Sequence, residues 1–324
     1  MKIAFVGFRH GHIYSLYDMA MKAPNVEITA CVEENAEARA AAEEKLGIRF
    51  SNASYEEILT GDADIIAVGA AYGDRGAITI RALENGKHVL TDKPLCTRLS
   101  ELDEIERLTK AGKGKIGCML DLRYLATSRK AKEIFKSGRL GAIKNVSFTG
   151  QHSISYGSRP SWYFEDGKHG GTINDLAIHG IDLLRYIADL DILSVDGIRT
   201  WNAYATRHPY FKDSAVFMAR LTGDAELLAD VSYSAPSQVF AMPTYWNFKF
   251  WCEKGMLTFC LIDEKVYIYE QGGEICQMEE GLPTEETCLS DLIKEIEENT
   301  YEFTNGVIAA TRSALTLQQI ADKE

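Results

Sequence analysis

Hydrophobic and polar positions divide the first third of the chain into two alternating kinds of segment. Short apolar runs, typical of buried strands, are predicted at residues 2–6, 26–32, 64–69, 88–91 and 115–120. Segments with helical spacing lie between them and are predicted at residues 13–21, 37–46, 76–85 and 99–111. This alternation of strand and helix predicts a doubly wound parallel sheet.

The pattern changes after residue 121. A helix at 128–137 precedes a strand at 143–151 and a further helix that carries Asp175. Longer strands with little helix between them are then predicted at 192–204, 214–221, 226–234, 245–252, 256–261 and 265–270, before two closing helices at 288–299 and 306–321. We therefore expect an α/β protein of two domains: residues 1–121, and an α+β domain of residues 122–324 with a large, mostly antiparallel open sheet.

Composition narrows the class of protein. The chain has 324 residues, of which 46% are hydrophobic and 25% charged, as in ordinary globular enzymes. A formal charge of −12 and the lack of a basic stripe argue against a nucleic-acid partner. No apolar run has membrane-spanning length, and no signal-peptide pattern is present. The seven scattered cysteines suit a reducing compartment, so we expect a cytoplasmic protein with neither disulfides nor a structural zinc.

The turn after the first predicted strand is a candidate nucleotide site. It reads Gly7-Phe8-Arg9-His10-Gly11-His12 and precedes a helix, so its backbone N–H groups can face a pyrophosphate. The dinucleotide fingerprint has three glycine positions, of which only the first is glycine here; Arg9 and His12 occupy the others. Arg9 can instead pair with phosphate directly. The alternative is a strand-to-helix turn that binds nothing.

Glu33 stands at the end of the second predicted strand. An acidic residue there accepts hydrogen bonds from the adenine ribose hydroxyls and repels a 2′-phosphate, which favours NAD over NADP. The alternative is a solvated carboxylate at the start of a helix, since Glu34 and Asn35 are also polar.

Two further segments carry titratable groups. Thr91-Asp92-Lys93-Pro94 follows a predicted buried strand, and Asp175 and His179 stand four residues apart on one side of a helix. Asp182 and Tyr186 extend the same polar stripe on a helical wheel. Taken singly, such a histidine is more often a satisfied semi-buried residue, and such a lysine an exposed loop residue.

Together these segments resemble the glucose–fructose oxidoreductase / inositol dehydrogenase / MocA (Gfo/Idh/MocA) family of NAD(P)-dependent oxidoreductases. Residues 86–95 resemble the family segment G-K-H-V-x-x-E-K-P, and residues 170–185 resemble G-G-x-x-x-D-x-x-x-H-x-x-D. Residues 30–33 are similar to the family's second strand and its ribose acid. The resemblance covers nearly the whole chain and implies a Rossmann domain at the N-terminus.

The resemblance implies roles for three residues. Lys93 matches the lysine that hydrogen-bonds the reacting oxygen, Asp175 a carboxylate that holds substrate, and His179 the proton acceptor. The chemistry is consistent, because a histidine titrates near neutral pH and a nearby ammonium stabilises charge on the oxygen. We therefore expect these three side chains to gather around a bound nicotinamide. The bond before Pro94 is expected to be cis, as in relatives.

The chain also departs from the family pattern. Asp92 replaces a glutamate, and Ala71 and Arg75 stand where the family commonly has proline and histidine, in a loop that lies beside the nicotinamide in relatives. Arg75 is interpreted as an anionic substrate clamp or, alternatively, as an ordinary loop arginine. Besides residues 7–12 and Glu33, the resemblance implies cofactor contacts for Ala70, Tyr72, Arg75, Asp92 and Lys93.

Substrate contacts are expected from Lys93, Asp175 and His179, with Arg123, His152 and Trp162 as further candidates. Aromatic faces suit sugar rings, and a guanidinium suits acids or hydroxyls. Each of the last three residues has packing as its alternative role. No metal site is expected, because Lys93 would repel an ion held by Asp175, His179 and His169.

These observations predict an NAD-dependent dehydrogenase that oxidises a secondary hydroxyl of a sugar, inositol or related polyol. One alternative is an enzyme that cleaves or isomerises glycosides and retains its NAD. Another is a non-catalytic NAD- or sugar-binding regulator on the same scaffold. The open sheet is expected to pair into a homodimer or homotetramer, because large uncovered apolar faces tend to associate.

Overall fold

The structure is a computed structural model that describes residues 1–238, 242, 244–273 and 276–323. The chain forms two compact units. The first comprises Met1–Met119, Pro160–Gly170 and Glu286–Arg312, and the second comprises Leu120–Arg159, Gly171–Glu285 and Ser313–Glu324. Two segments that follow the predicted boundary at residue 121 therefore belong to the first unit. Among the described residues, no helix has the length and apolarity needed to cross a membrane.

The first unit contains a five-stranded parallel sheet. Its strands are β1 (Lys2–Val6), β2 (Glu27–Val32), β3 (Ile65–Val68), β4 (His88–Thr91) and β5 (Ile116–Cys118), in the order β2-β1-β3-β4-β5. The predicted doubly wound sheet is thus confirmed. The strand order reverses between β1 and β3, and in sheets of this kind ligands bind outside the carboxyl ends of the strands at that point.

Five helices accompany this sheet: α1 (His12–Lys22), α2 (Ala36–Leu46), α3 (Tyr55–Leu59), α4 (Tyr72–Glu84) and α5 (Leu99–Lys110). Helix α3 was not predicted, because five residues are too few to show a helical period. A capping box between Ser54 and Glu57 begins it. Helix α4 begins four residues before the predicted start at Gly76, so Tyr72 and Arg75 lie in its first turn.

The second unit contains an eight-stranded sheet. Helices α6 (Ala126–Lys136) and α7 (Ile178–Ala188) flank β6 (Ile143–Ser153) in the chain. Of the two C-terminal helices, α8 (Cys288–Glu298) belongs to the first unit, and α9 (Glu302–Ala321) begins in the first unit and ends in the second. The strand order is β13-β12-β11-β10-β6-β9-β8-β7, and only the β6–β9 pair is parallel. The remaining strands are β7 (Ile192–Trp201), β8 (Ser214–Leu221), β9 (Ala225–Ala235), β10 (Asn247–Cys252), β11 (Gly255–Cys260), β12 (Lys265–Glu270) and β13 (Gln277–Glu280). The mostly antiparallel sheet is confirmed, and β13 is an unpredicted edge strand.

Alternation along β9 shows how this sheet acquires a buried and an exposed face. Leu227, Val231 and Tyr233 are buried, whereas Glu226 and Leu228 are exposed. Such a period of two is the pattern of a half-covered strand. Tyr233 lies on the covered face of the sheet.

Candidate active site

The turn between β1 and α1 requires glycine at its first position. Gly7 has a φ of +85°, and a Cβ atom there would lie 2.6 Å from the backbone nitrogen of Ala70. The N–H of Phe8 donates to Glu33 Oε2 (2.6 Å), and the N–H of Arg9 donates to the carbonyl of Gly69 (2.9 Å). Within the described part of the chain, the N–H groups of residues 10–12 have no acceptor. Such N–H groups at a helix start suit an anion.

Glu33 is a fixed carboxylate rather than a solvated one. It is buried and accepts from the Phe8 N–H (2.6 Å), the Asn35 N–H (2.7 Å) and the Tyr55 hydroxyl (3.3 Å). A cleft of about 510 Å³ in the first unit is lined by Arg9, Glu33, Asn35, Tyr55, Asp74 and Arg98, among others. This size lies in the range of small-molecule sites. The cleft and its carboxylate fit the adenosine end of a dinucleotide, and the carboxylate disfavours a 2′-phosphate.

Asp92 is the centre of a buried polar cluster at the carboxyl ends of β1, β3 and β4. Its carboxylate meets Arg75 Nη2 (2.8 Å), His10 Nδ1 (2.5 Å) and His12 Nδ1 (3.1 Å). Arg75 also donates to the carbonyls of Ala70 (2.8 Å) and Asp92 (2.7 Å). Two departures from the family pattern, Arg75 and Asp92, therefore pair with each other. The anion clamp proposed for Arg75 stays a prediction, since its fully buried guanidinium faces protein acceptors.

The charges of this cluster fix the directions of its hydrogen bonds. Burial acts to raise the pKa of Asp92, but Arg75 and the two histidines hold it well below its ordinary value. Burial lowers the pKa of His10 to about 4, although the Asp92 carboxylate acts to raise it. At neutral pH His10 is therefore neutral and donates from Nδ1 to the ionised Asp92. Its Nε2 then accepts from the Tyr72 hydroxyl (3.1 Å).

His10, His12 and Asp92 also place three possible metal-ligand atoms within 4.8 Å of one another. The Arg75 guanidinium already neutralises Asp92 and hydrogen-bonds to its Oδ2. A dication there would leave excess positive charge in a buried site, which is costly. We therefore interpret the trio as a hydrogen-bonded cluster, and the expected absence of a metal stays a prediction.

Trp162 lies in the first unit, within the segment 160–170. It is buried in a 3-10 turn (Ser161–Phe164), and its indole N–H donates to the Arg9 carbonyl (3.2 Å). Its ring contacts Tyr72 at a centroid distance of 4.9 Å, and the neighbouring Tyr163 hydroxyl lies 2.6 Å from that of Tyr72. Trp162 thus supports the nucleotide turn, and its predicted substrate contact stays a prediction. Sequence spacing gave no sign of this contact, since about 150 residues separate the two segments.

Lys93 is the second residue after β4 and is 2% exposed. The peptide bond between Lys93 and Pro94 is cis, as the family resemblance implied. Lysine is rarely buried to this degree in folded proteins unless its ammonium has a specific task or partner. This burial argues against the alternative of an exposed loop lysine.

Asp175 and His179 lie in the second unit on consecutive helical turns. Asp175 is buried within a π-helical turn (Ile173–Ala177), and His179 stands in the first turn of α7, half-buried, with its ring 5.5 Å from that of Trp246. The sequence predicted a regular helix here. The wider π turn is a finding of the structure, and such turns are rare and frequently occur at functional sites.

Arg123, a predicted substrate contact of the second unit, forms an ion pair with Asp182. Arg123 donates from Nε to Asp182 Oδ2 (2.6 Å) and from Nη2 to the other carboxylate oxygen, and both side chains are buried. Such a bidentate pair joins the 3-10 turn at Asp121–Tyr124 to α7. The predicted substrate contact of Arg123 stays a prediction. Asp182 therefore belongs to an ion pair rather than to a continuous polar stripe with Asp175.

Tyr233 is a residue that the sequence analysis missed. Its hydroxyl donates to the Asp175 carboxylate. The ring centroid lies 4.8 Å from the Arg159 guanidinium, and 6.4 Å from the ring of His152, a predicted substrate contact. One signal pointed to it: among the inward positions of β9, Tyr233 is the only side chain with a polar tip beside alanine, leucine and valine.

Curated relatives support the sequence resemblance. The chain is 31% identical over 195 residues to levoglucosan dehydrogenase of Pseudarthrobacter phenanthrenivorans, covering 56% of this chain and 48% of that protein. It is 29% identical over 176 residues to 1,5-anhydro-D-fructose reductase of Ensifer adhaerens, covering 53% and 52%. The chain spans about half the length of these curated relatives.

A solved structure shows the same fold over the full length. The inositol dehydrogenase homologue of Azotobacter vinelandii, complexed with NAD+, superposes with a TM-score of 0.83 at 16% identity, covering 100% of this chain and 95% of that chain. At this identity the likeness concerns the fold alone.

Two family models match in the order of the chain. Residues 1–119 match the oxidoreductase family model described as an NAD-binding Rossmann fold, and residues 128–258 match the GFO/IDH/MocA C-terminal domain. Together the two matches cover well over half of the sequence. The chain belongs to the Gfo/Idh/MocA family of oxidoreductases.

Proposed function

We propose that this protein is an NAD-dependent dehydrogenase that oxidises a secondary hydroxyl of a sugar, inositol or related polyol. The observation that carries the proposal is Lys93, buried at the carboxyl end of β4 in a doubly wound sheet. Family membership supports the reaction class. Relatives named for levoglucosan, 1,5-anhydro-D-fructose and scyllo-inositol support a cyclic polyhydroxylated substrate.

The residues of the first unit fit NAD rather than NADP. The N–H groups of residues 10–12 suit the pyrophosphate, Arg9 can pair with it, and the buried Glu33 suits the ribose hydroxyls. A second negative charge beside Glu33 would be repelled in a partly buried site. When bound, NAD supplies the hydride acceptor for the reaction.

Each unit contributes its own groups to the chemistry. In the proposed reaction the Lys93 ammonium donates a hydrogen bond to the reacting oxygen and stabilises the negative charge that develops there. His179 takes the hydroxyl proton at a ring nitrogen, since an imidazole is a competent base near neutral pH. Asp175 holds the substrate. The convergence of these three side chains on one substrate, with further contacts from Arg123, His152 and Trp162, is part of the proposal.

A substrate screen tests this function. The purified protein is incubated with NAD and a panel of inositols, aldoses and anhydrosugars, and reduced cofactor is followed by its absorbance. We expect turnover on at least one polyol. In Lys93→Met we expect kcat to fall by roughly 10²–10³, since one preorganised donor at a developing oxyanion contributes about that much. Lys110→Met, which removes an exposed lysine of α5, is the matched control and should behave as wild type.

Other outcomes identify the alternatives. Absence of turnover on the whole panel, or a Lys93→Met variant with wild-type kcat, would refute the proposal. Cofactor retained through purification without net reduction would indicate the glycoside-cleaving or isomerising enzyme. Tight NAD binding by calorimetry without hydride transfer would indicate a regulator.

A further inference from the structure

Tyr233 lies at the centre of a buried cluster in the second unit. It is 1% exposed, and its hydroxyl donates to Asp175 Oδ2. The Arg159 guanidinium stands over its ring at 4.8 Å from the centroid. Phe211 packs on the ring with a centroid distance of 5.0 Å. The tyrosine is therefore held on several sides, with its polar tip on the carboxylate.

This geometry stabilises the ionised form of Asp175. A phenol O–H that donates to a carboxylate favours its charged state. A cation over an aromatic ring is attracted to the π face, and it also favours partial negative charge on the phenol oxygen, which strengthens the O–H as a donor.

Arg159 is itself fixed in place by the backbone. Its Nε donates to the carbonyl of Ile154 (2.8 Å), and its Nη2 donates to the carbonyl of Ser153 (2.6 Å). Ser153 is the last residue of β6 and Ile154 follows it, and β6 pairs with β9 through Ser153 and Ser234. The Arg159 guanidinium therefore contacts the Tyr233 ring, and the Tyr233 hydroxyl contacts the Asp175 carboxylate. These contacts link the end of β6, β9 and the π-helical turn.

We propose that Tyr233 is a positioning residue of the enzyme, which holds Asp175 ionised and in one orientation while Arg159 stacks on its ring. The inference rests on the proposed function for the catalytic role of Asp175. It adds a residue that none of the motif segments contains.

An NMR titration tests the pair without any turnover. The full-length protein is labelled with 13C at the aspartate carboxyl carbons, and the Asp175 signal is assigned by its loss in Asp175→Asn. In Tyr233→Phe, which removes only the hydroxyl, we expect the pKa of Asp175 to rise by about one unit. The matched control is Tyr267→Phe, which removes the hydroxyl of a half-buried tyrosine on β12 and should leave that pKa unchanged. An unchanged pKa in Tyr233→Phe overturns the proposal.

A second variant covers the case in which Tyr233→Phe does not fold. Arg159→Gln removes the cation from the ring and keeps the tyrosine hydroxyl. We expect a smaller rise in the Asp175 pKa, in the same direction. A fall or no change in this variant contradicts the stacked arrangement.

Kinetics then separate positioning from simple structural support. On a polyol that is turned over, we expect Tyr233→Phe to lose about tenfold or more in kcat/KM, mostly in kcat, with the acid limb of the pH profile shifted upward. If Tyr233 had only a structural role, Tyr233→Phe would lower the free energy of unfolding and leave the acid limb of the pH profile unchanged. If the wild-type protein turned over no polyol, the proposed function would be refuted. The NMR titration would still show whether Tyr233 affects the pKa of Asp175.

Discussion

At the scale of single residues, the two buried carboxylates of the first unit's site are stabilised by different kinds of hydrogen-bond partner. Glu33 is held by two backbone N–H groups and a tyrosine hydroxyl, and Asp92 by a guanidinium and two imidazoles. A buried charge is tolerated only when such partners are in place. The partners therefore determine which groups are ionised at neutral pH. His10 is the clearest case, because burial keeps it neutral beside a carboxylate.

The lowered pKa of His10 should make the protein less stable in mild acid than at neutral pH. An unfolded histidine titrates at about 6.5, whereas in the folded protein the pKa of His10 is lowered to about 4. As the pH falls through this window, the unfolded state binds a proton that the native state does not, so stability is lost by up to about 1.4 kcal/mol per pH unit. Urea unfolding from pH 7.5 to 4.5 should show a shallower decline for His10→Gln than for wild type. Parallel declines would contradict this assignment.

At the scale of elements, close packing of α7 against the sheet places Asp175 and His179. Gly180 follows His179, and a Cβ atom there would lie 2.5 Å from the ring of Phe148 on β6. Only a glycine allows the helix to approach the strand this closely. The π-helical turn before α7 carries Asp175 to the hydroxyl of Tyr233 on β9. The motif residues are therefore positioned by contacts that the motif itself does not contain.

A methyl group at Gly180 should destabilise the second unit. Alanine is favoured over glycine within a helix by about 1 kcal/mol, but overpacking against a ring costs typically about 1–3 kcal/mol. We expect Gly180→Ala to lower the free energy of unfolding by chemical denaturation. In a Phe148→Leu background, which lacks the ring, Gly180→Ala should lower the free energy of unfolding by less than it does in the wild type. A stabilised Gly180→Ala single variant would show that the helix relaxes away from the sheet at no cost.

At the scale of the whole molecule, the second unit's sheet keeps one face uncovered by its own helices. Met218 and Leu228 are direct cross-strand partners on β8 and β9, and both are more than half exposed. The register aligns Trp251 and Tyr269 with Met256 of β11, and it aligns Trp251 through Asn145 with Glu226, two residues before Leu228 on β9. Trp251 and Tyr269 are therefore exposed on the same face as Leu228. Asn145 and Ser147 of β6 lie between the two apolar pairs, so the face is apolar with polar residues interspersed, as protein–protein interfaces often are.

Charges on this face should reduce the size of the particle in solution. We expect a homodimer or homotetramer by multi-angle light scattering, and a smaller species for Met218→Glu/Leu228→Glu, because charged groups would be buried without partners. Met21→Glu, at an exposed methionine of the first unit, is the matched control and should leave the mass unchanged. A monomeric wild type, or a double variant of unchanged mass, would show that this face does not mediate assembly.

Local sequence patterns were sufficient for most strands, most helices, the two sheet types and the family, because hydrophobic periodicity and motif spacing depend on neighbours in the chain. The pairing of Arg75 with Asp92, the support of Arg9 by Trp162 and the bond from Tyr233 to Asp175 emerged only from the tertiary structure. Each of these contacts joins residues 17 to 153 positions apart. Side chains that distant meet only when the packed sheets bring them together, so their charge states and roles follow from the fold and not from the order of residues.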